Sequence, residues 1–212
     1  MEGHVIAQSC RFCSIGRGYA GEPYDVPVAR TADHFAIASV GALVPGWVLI
    51  CPRAHTTNMA DLYDDSQSVD LRLRVSEILR ARYGLPVRLF EHGANCAGST
   101  TGCGVDHAHS HLVPLGFSLL EDIHEFDRTL TWIQCKASEI RRVASEREYL
   151  FASDNASAID PDGFLALVPN PTSQFFRKLI ATKLARESEF NYRTHPNIQN
   201  TMATVASLSE SD

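Results

Sequence analysis

The sequence predicts an α+β fold: an antiparallel sheet of about five strands with helices packed on it, then a C-terminal α/β extension. Three observations carry this. Short β-rich runs, HFAIASVG and WVLICPR, are separated by ALVPG, a turn with Pro-Gly. A long stretch with helical periodicity follows them. Two further β-rich runs, PVRLFEHG and VDHAHSHLVP, then flank a glycine-rich loop.

In chain order, CRFC is followed by GRGYAGEPYD, which reads as turns, and then by the first strand pair. The segment from His55 to Gly84 reads as helix, with Thr57 or Asn58 as cap, Gly84 as stop and an interruption near Asp64 and Asp65. Leu71, Val75, Leu79 and Tyr83 recur on its inner face, and Arg72, Glu77 and Arg80 are left for water. Residues 1–117 form the core unit and 118–212 the extension packed on it. In the extension ASEIRRVASERE reads as helix, YLFAS and FLALV as a strand pair, and SQFFRKLIATKLARE as helix. HPNIQNTMATVASL reads as a last helix with Pro196 in its first turn. The final few residues read as a disordered tail.

The net charge of −6 over 212 residues, with no long basic run, argues against a polymeric nucleic acid partner. A small anionic ligand needs only a few local groups. The start MEGHVIAQSC lacks an apolar signal core, and VGALVPGWVLIC is too short and broken to span a bilayer. The expectation is a cytoplasmic protein without a membrane partner. Cys10 and Cys13 then read as metal ligands, a redox pair or two buried thiols rather than a secreted disulfide.

The informative stretch is GCGVDHAHSHLVPL, with His107, His109 and His111 at a spacing of two. On a strand they share one face, and Asp106, Ala108, Ser110 and Leu112 share the other. The spacing suits ligation of a catalytic metal, or phosphoryl chemistry in which a neutral imidazole attacks and its neighbours donate to phosphate oxygens. No HxHxDH pattern follows the triplet, whereas CAGSTTGCG precedes it. Its Ser99, Thr100, Thr101, Gly102 and Gly104 offer hydroxyl and backbone donors to a phosphate, which favours the second reading.

HAHSHLVP, VPGWVLICPRAHTTNMADL and CRFC, in this order and spacing, resemble the histidine triad superfamily across residues 10–114. FEHG and SQFFRKLIA look like a bacterial branch with a C-terminal extension. The resemblance implies a homodimeric nucleotidyl hydrolase or nucleotidyltransferase acting on a dinucleoside polyphosphate, a nucleoside phosphoramidate or a related conjugate. His109 would form a covalent nucleotidyl-histidine, with His111 at a phosphate oxygen or the leaving group and no catalytic metal required. It also implies a structural zinc on Cys10, Cys13, His55 and His107. Gly102-Cys103-Gly104 stands where many members carry Gly-Gln-Ser, so that loop's phosphate contacts do not carry over. A zinc-stabilised nucleotide-binding protein and a metallohydrolase using all three histidines are the alternatives.

Other candidates have two readings each. His92 lies at a strand end near the glycine loop and can touch phosphate or make a structural hydrogen bond, and Glu91 shares that ambiguity. Phe35 and Ile37 alternate on a strand and can sandwich a base or belong to the core. Gln174 and Arg177, near a helix start, can meet a second phosphate or face water. His34 reads as a surface residue, and Cys103 as a loop filler beside the phosphate.

Overall fold

The computed structural model describes residues 10–170 and 172–209; the expected tail at residues 210–212 lies outside them. Helix α1 is Arg11–Gly16. Strands β1 (Ala29–Arg30), β2 (His34–Ala38) and β3 (Val48–Pro52) precede the long helix α2 (Ser66–Tyr83). Then come β4 (Val87–Gly93), β5 (Ser110–Pro114), α3 (Ile123–Phe126), β6 (Trp132–Lys136), α4 (Ile140–Ala144), β7 (Tyr149–Ser153), β8 (Asp162–Leu167), α5 (Phe175–Lys183) and α6 (Ile198–Ser209).

The described strands form one eight-stranded sheet in the order β1-β2-β3-β5-β4-β7-β8-β6. The pairings are antiparallel, with Phe35 opposite Cys51, Leu49 opposite His111, and Phe90 opposite both His111 and Ala152. Five strands lie before residue 117, and the extension adds three to the same sheet.

Side-chain alternation divides the interior in two. On one face Phe35, Ile37, Leu49 and Phe90 pack with Phe12 of α1 and with Phe176, Leu179 and Ile180 of α5. On the other, Ala36, Ile50, Leu89 and Leu112 pack against Leu71, Val75 and Leu79 of α2. The β2–β3 turn needs Gly46: its φ is 83°, and an added Cβ would lie 2.6 Å from the Tyr83 ring and 2.7 Å from Pro114.

Several boundaries differ from expectation. Helix α2 starts at Ser66, not near Thr57, because the Asp65 carboxylate accepts the amides of Gln67 and Ser68 at 3.1 and 2.9 Å. Asn58 instead ties a turn, donating to the Ala94 carbonyl at 2.8 Å. Gly84 ends the helix in the left-handed region, as expected. Arg72 is buried rather than left for water, its guanidinium bonded to the carbonyls of Ala156, Ala158 and Ile159. Strand β5 begins at Ser110, so His107 and His109 lie on the chain just before it. The helix expected over ASEIRRVASERE is a short 3₁₀ turn, Ala137–Glu139, plus α4, stopped by positive φ at Ser145 and Glu146. Pro196 precedes α6 rather than entering its first turn, and its carbonyl accepts the Gly41 amide.

Candidate active site

Helix α1 and the chain entering β5 bring two cysteines and two histidines together. The ligand atoms of Cys10, Cys13, His55 and His107 lie within 4.8 Å of one another. His107 Nδ1 is 3.4 Å from Cys10 Sγ and 3.5 Å from Cys13 Sγ, and His55 Nδ1 is 3.3 Å from Cys13 Sγ. Tetrahedral coordination, with metal–sulfur bonds of about 2.3 Å and metal–nitrogen bonds of about 2.0–2.1 Å, requires sulfur–nitrogen separations of roughly 3.5 Å. The cluster therefore has the dimensions and donor set to hold a metal ion. His107 Nε2 donates to the Pro52 carbonyl at 2.8 Å, which leaves Nδ1 as the ligating lone pair. Burial and the neighbouring Cys10 push the Cys13 thiol up to about 11, so a cation is what would make this pair ionise. Burial also pulls His107 down to about 4, keeping it neutral.

His109 and His111 face a different space, a cavity of about 60 Å³ on the α1 and α5 side of the sheet. His109 donates from Nδ1 to the His107 carbonyl at 2.8 Å, so Nε2 carries its lone pair. Trp47 Nε1 lies 2.9 Å from His111 Nδ1. Indole N–H is only a donor, so this nitrogen accepts and the proton of neutral His111 sits on Nε2. The Phe90 ring stacks on His111 at 4.3 Å and 12°. His92 Nε2 accepts the Phe176 amide at 3.4 Å, which puts the His92 proton on Nδ1, a buried atom without a partner. Burial lowers all three imidazoles, His92 to about 3 and His111 well below its ordinary value. The site thus holds one exposed-lone-pair imidazole beside two neutral imidazole donors, the elements of nucleophilic attack on an electrophile with anionic oxygens.

No family model matches the chain. Over 109 residues it is 28% identical to an adenosine 5'-monophosphoramidase of Schizosaccharomyces pombe, covering 50% of this chain and 74% of that one. The chain is thus similar to proteins of the histidine triad superfamily. Among solved structures, a Hit-like protein involved in cell-cycle regulation from Bartonella henselae aligns with 50% of this chain and 79% of its own, at 18% identity and a TM-score of 0.39. A HIT family hydrolase from Clostridium thermocellum covers 53% and 98% at 24% identity, with a TM-score of 0.39.

The expected site residues separate into groups. Cys10, Cys13, His55 and His107 form one cluster, and His92, His109, His111 and Arg177 line the cavity. Ser99, Thr100, Thr101, Gly102 and Gly104 do not line it; Thr101 Oγ1 is committed to Glu148 and the Ser99 hydroxyl to the Thr101 amide. Phe35 and Ile37 are fully packed in the core rather than open to a base. Two amides at the α5 start are already taken: Gln174 N–H donates to Cys103 Sγ at 3.2 Å and Phe176 N–H to His92. His34 is not a surface residue. It is 2% exposed, with Asp65 at 3.7 Å, and burial lowers its pKa.

The residues that the sequence reading missed are Trp47, which sets the His111 tautomer, and Phe12 and Tyr192 on the cavity wall, which Cys103 also lines. Trp47 stands 64 residues from His111 and carried no spacing signal. A larger cavity, about 570 Å³ beside Glu146 and Glu148, has no histidine in its wall, so volume alone points away from the chemistry.

Proposed function

We propose that this protein is a histidine triad nucleotide hydrolase or nucleotidyltransferase working through a covalent nucleotidyl-His109. The observation that carries the reading is the 2.8 Å bond from His109 Nδ1 to the His107 carbonyl, which leaves the Nε2 lone pair beside the cavity. Attack by Nε2 on an α-phosphorus and release of the adduct to water or another acceptor would divide one displacement into two easier ones. His111 Nε2–H and His92 Nδ1–H would meet the phosphate oxygens. A cavity of about 60 Å³ would take a phosphate group and little more.

Cys10, Cys13, His55 and His107 would hold a structural zinc, which would fix α1 against the approach to β5. That division of labour speaks against all three histidines on one catalytic ion, because His107 Nδ1 is turned to the cysteines and His111 Nδ1 to Trp47. The reading also takes the protein to be cytoplasmic and homodimeric; among the described residues no helix is long and apolar enough to cross a membrane.

The test is incubation with nucleotide conjugates labelled at the α-phosphate, followed by quenching. Acid-labile, alkali-stable label on the His109 peptide, lost in His109→Ala while one zinc per chain and nucleotide binding are retained, is the expected result. Turnover without label would sink the covalent reading. Nucleotide binding without turnover in the wild type would favour a binding protein instead.

A further inference from the structure

The cavity wall has a charge that no described carboxylate balances. Arg177, 4% exposed, donates to the Gly41 and Val40 carbonyls and to the Ser39 hydroxyl at 3.2 Å, and no described carboxylate pairs with it. No Asp or Glu lines the cavity, and its other guanidinium, Arg11, is already paired with Asp25. A buried cation without a counter-ion is costly and is relieved by an anion brought from outside. The buried, unpartnered Nδ1–H of His92 in the same wall is a second donor awaiting an acceptor.

A second unbalanced guanidinium stands at the rim. Arg193 is exposed and has no described carboxylate partner; its Nε–H donates to the Tyr192 hydroxyl at 3.3 Å. It lies directly on the glycine loop, since a Cβ on Gly104 would fall 1.9 Å from its Nη2. Tyr192 links the two cations: Arg177 lies 5.6 Å and Arg193 5.7 Å from its ring centre, and its hydroxyl donates to the Cys103 carbonyl at 2.9 Å. In a chain of net charge −6, a line of unpaired positive charge runs from the histidines past Tyr192 to solvent.

We infer that Arg177 and Arg193 form a subsite for an anionic leaving group, so that the substrate class is a nucleotide whose α-phosphate carries a phosphate or polyphosphate, in preference to a neutral amine. This rests on the nucleotidyl-His109 reading. In the first step the His109 Nε2–P bond forms as the P–O bond to the leaving phosphate breaks. The electron pair departs on that oxygen, and the resulting anion is held by the guanidinia without needing a proton. Water then forms a P–O bond as P–N breaks, releasing the mononucleotide and one proton to solvent. An amine leaving group, by contrast, must be protonated. The cavity wall offers no carboxylic acid for this, and Trp47 holds His111 as a neutral imidazole.

The experiment compares kcat/KM for a dinucleoside tetraphosphate and for the phosphoramidate of the same nucleoside, in the wild type, Arg193→Gln and Arg193→Lys. The wild type is expected to favour the polyphosphate. In Arg193→Gln that ratio should fall about tenfold to 100-fold, the size of a lost hydrogen bond to a charged group, with partial recovery in Arg193→Lys. Inorganic tripolyphosphate should compete with the wild type and less well with Arg193→Gln. Equal losses on both substrates, or a wild type that prefers the phosphoramidate, would overturn the inference while leaving the nucleotidyl-histidine reading intact. A wild type that turns over neither substrate and takes no label on His109 would remove both.

Discussion

Glu91 shows what a single buried group costs here. It sits on the opposite side of β4 from His92, 1% exposed, with Oε1 accepting the Met59 amide at 2.7 Å. Burial, only partly offset by that bond and by the Tyr149 and Tyr63 hydroxyls, pushes its carboxyl up to about 7. The folded protein therefore holds the Glu91 proton more tightly than the unfolded chain does. The Glu91 contribution to stability is therefore full below about pH 4.5, falls as pH rises through about 7, and stays low above it. Glu91→Gln keeps an acceptor for Met59 and removes this dependence. The variant should exceed the wild type in urea-unfolding free energy at pH 8 by about 1–3 kcal/mol, the gap closing towards pH 4.5. A gap of the same size at both pH values would count against the account. The sequence named Glu91 only as ambiguous, because its burial depends on Tyr63 and Tyr149, placed by the turns before α2 and by β7 rather than by local spacing. The metal cluster was legible in advance because its residue types match a known pattern. Trp47 was not, because its donor role depends on β3 lying beside β5.

At the scale of elements, local signals held where backbone geometry decides and failed where two signals competed. Gly84 ends α2 through its φ of 66°, a property of the residue itself. The start of α2 had two candidate caps, Thr57 and Asn58, with Asp65 read only as an interruption; Asp65 caps it because its carboxylate reaches two amides at once. Upstream, the chain is instead held in turns by Asn58 and by the Met59–Glu91 bond. Asp65→Ala should therefore cost about 0.5–2 kcal/mol, seen as a lower urea midpoint with unchanged m-value, whereas Thr57→Ala should leave the midpoint in place. The reverse ranking would mean that the helix is stabilised from its expected start. The triplet offers the same lesson. Alternation placed His107, His109 and His111 along one side, as the 4.9 Å contact between the His109 and His111 rings reflects, but strand pairing begins only at Ser110. The preceding residues leave the ladder, with the Ala108 amide bonded to the Thr56 carbonyl, and so free His107 to turn to the cysteines.

At the scale of the whole molecule, the sheet crosses the boundary at residue 117 that the sequence suggests. β7 pairs with β4 along five residues, from Leu89 opposite Ser153 to Gly93 opposite Tyr149, so β4 is an interior strand only when the extension is present. The face carrying Trp47, Phe90 and Leu49 is covered by Phe176, Leu179 and Ile180 of α5. Arg72 of α2 is bonded wholly to extension carbonyls, and Arg88 of β4 reaches the carbonyls of Phe117 and Asp154. Pairing between strands this far apart in sequence has no local signature, which is why the three added strands were legible as strands but not as members of the first sheet. A chain ending at residue 117 would expose the β4 edge together with an apolar face, the combination that templates association. It would also remove every carbonyl to which the Arg72 guanidinium donates. The truncated protein should therefore be recovered as aggregates, or in soluble form should bind a hydrophobic dye and lack a cooperative urea transition. A monodisperse 1–117 fragment with a cooperative transition and intact metal stoichiometry would show instead that the first five strands fold alone and that the extension is an accessory to the site.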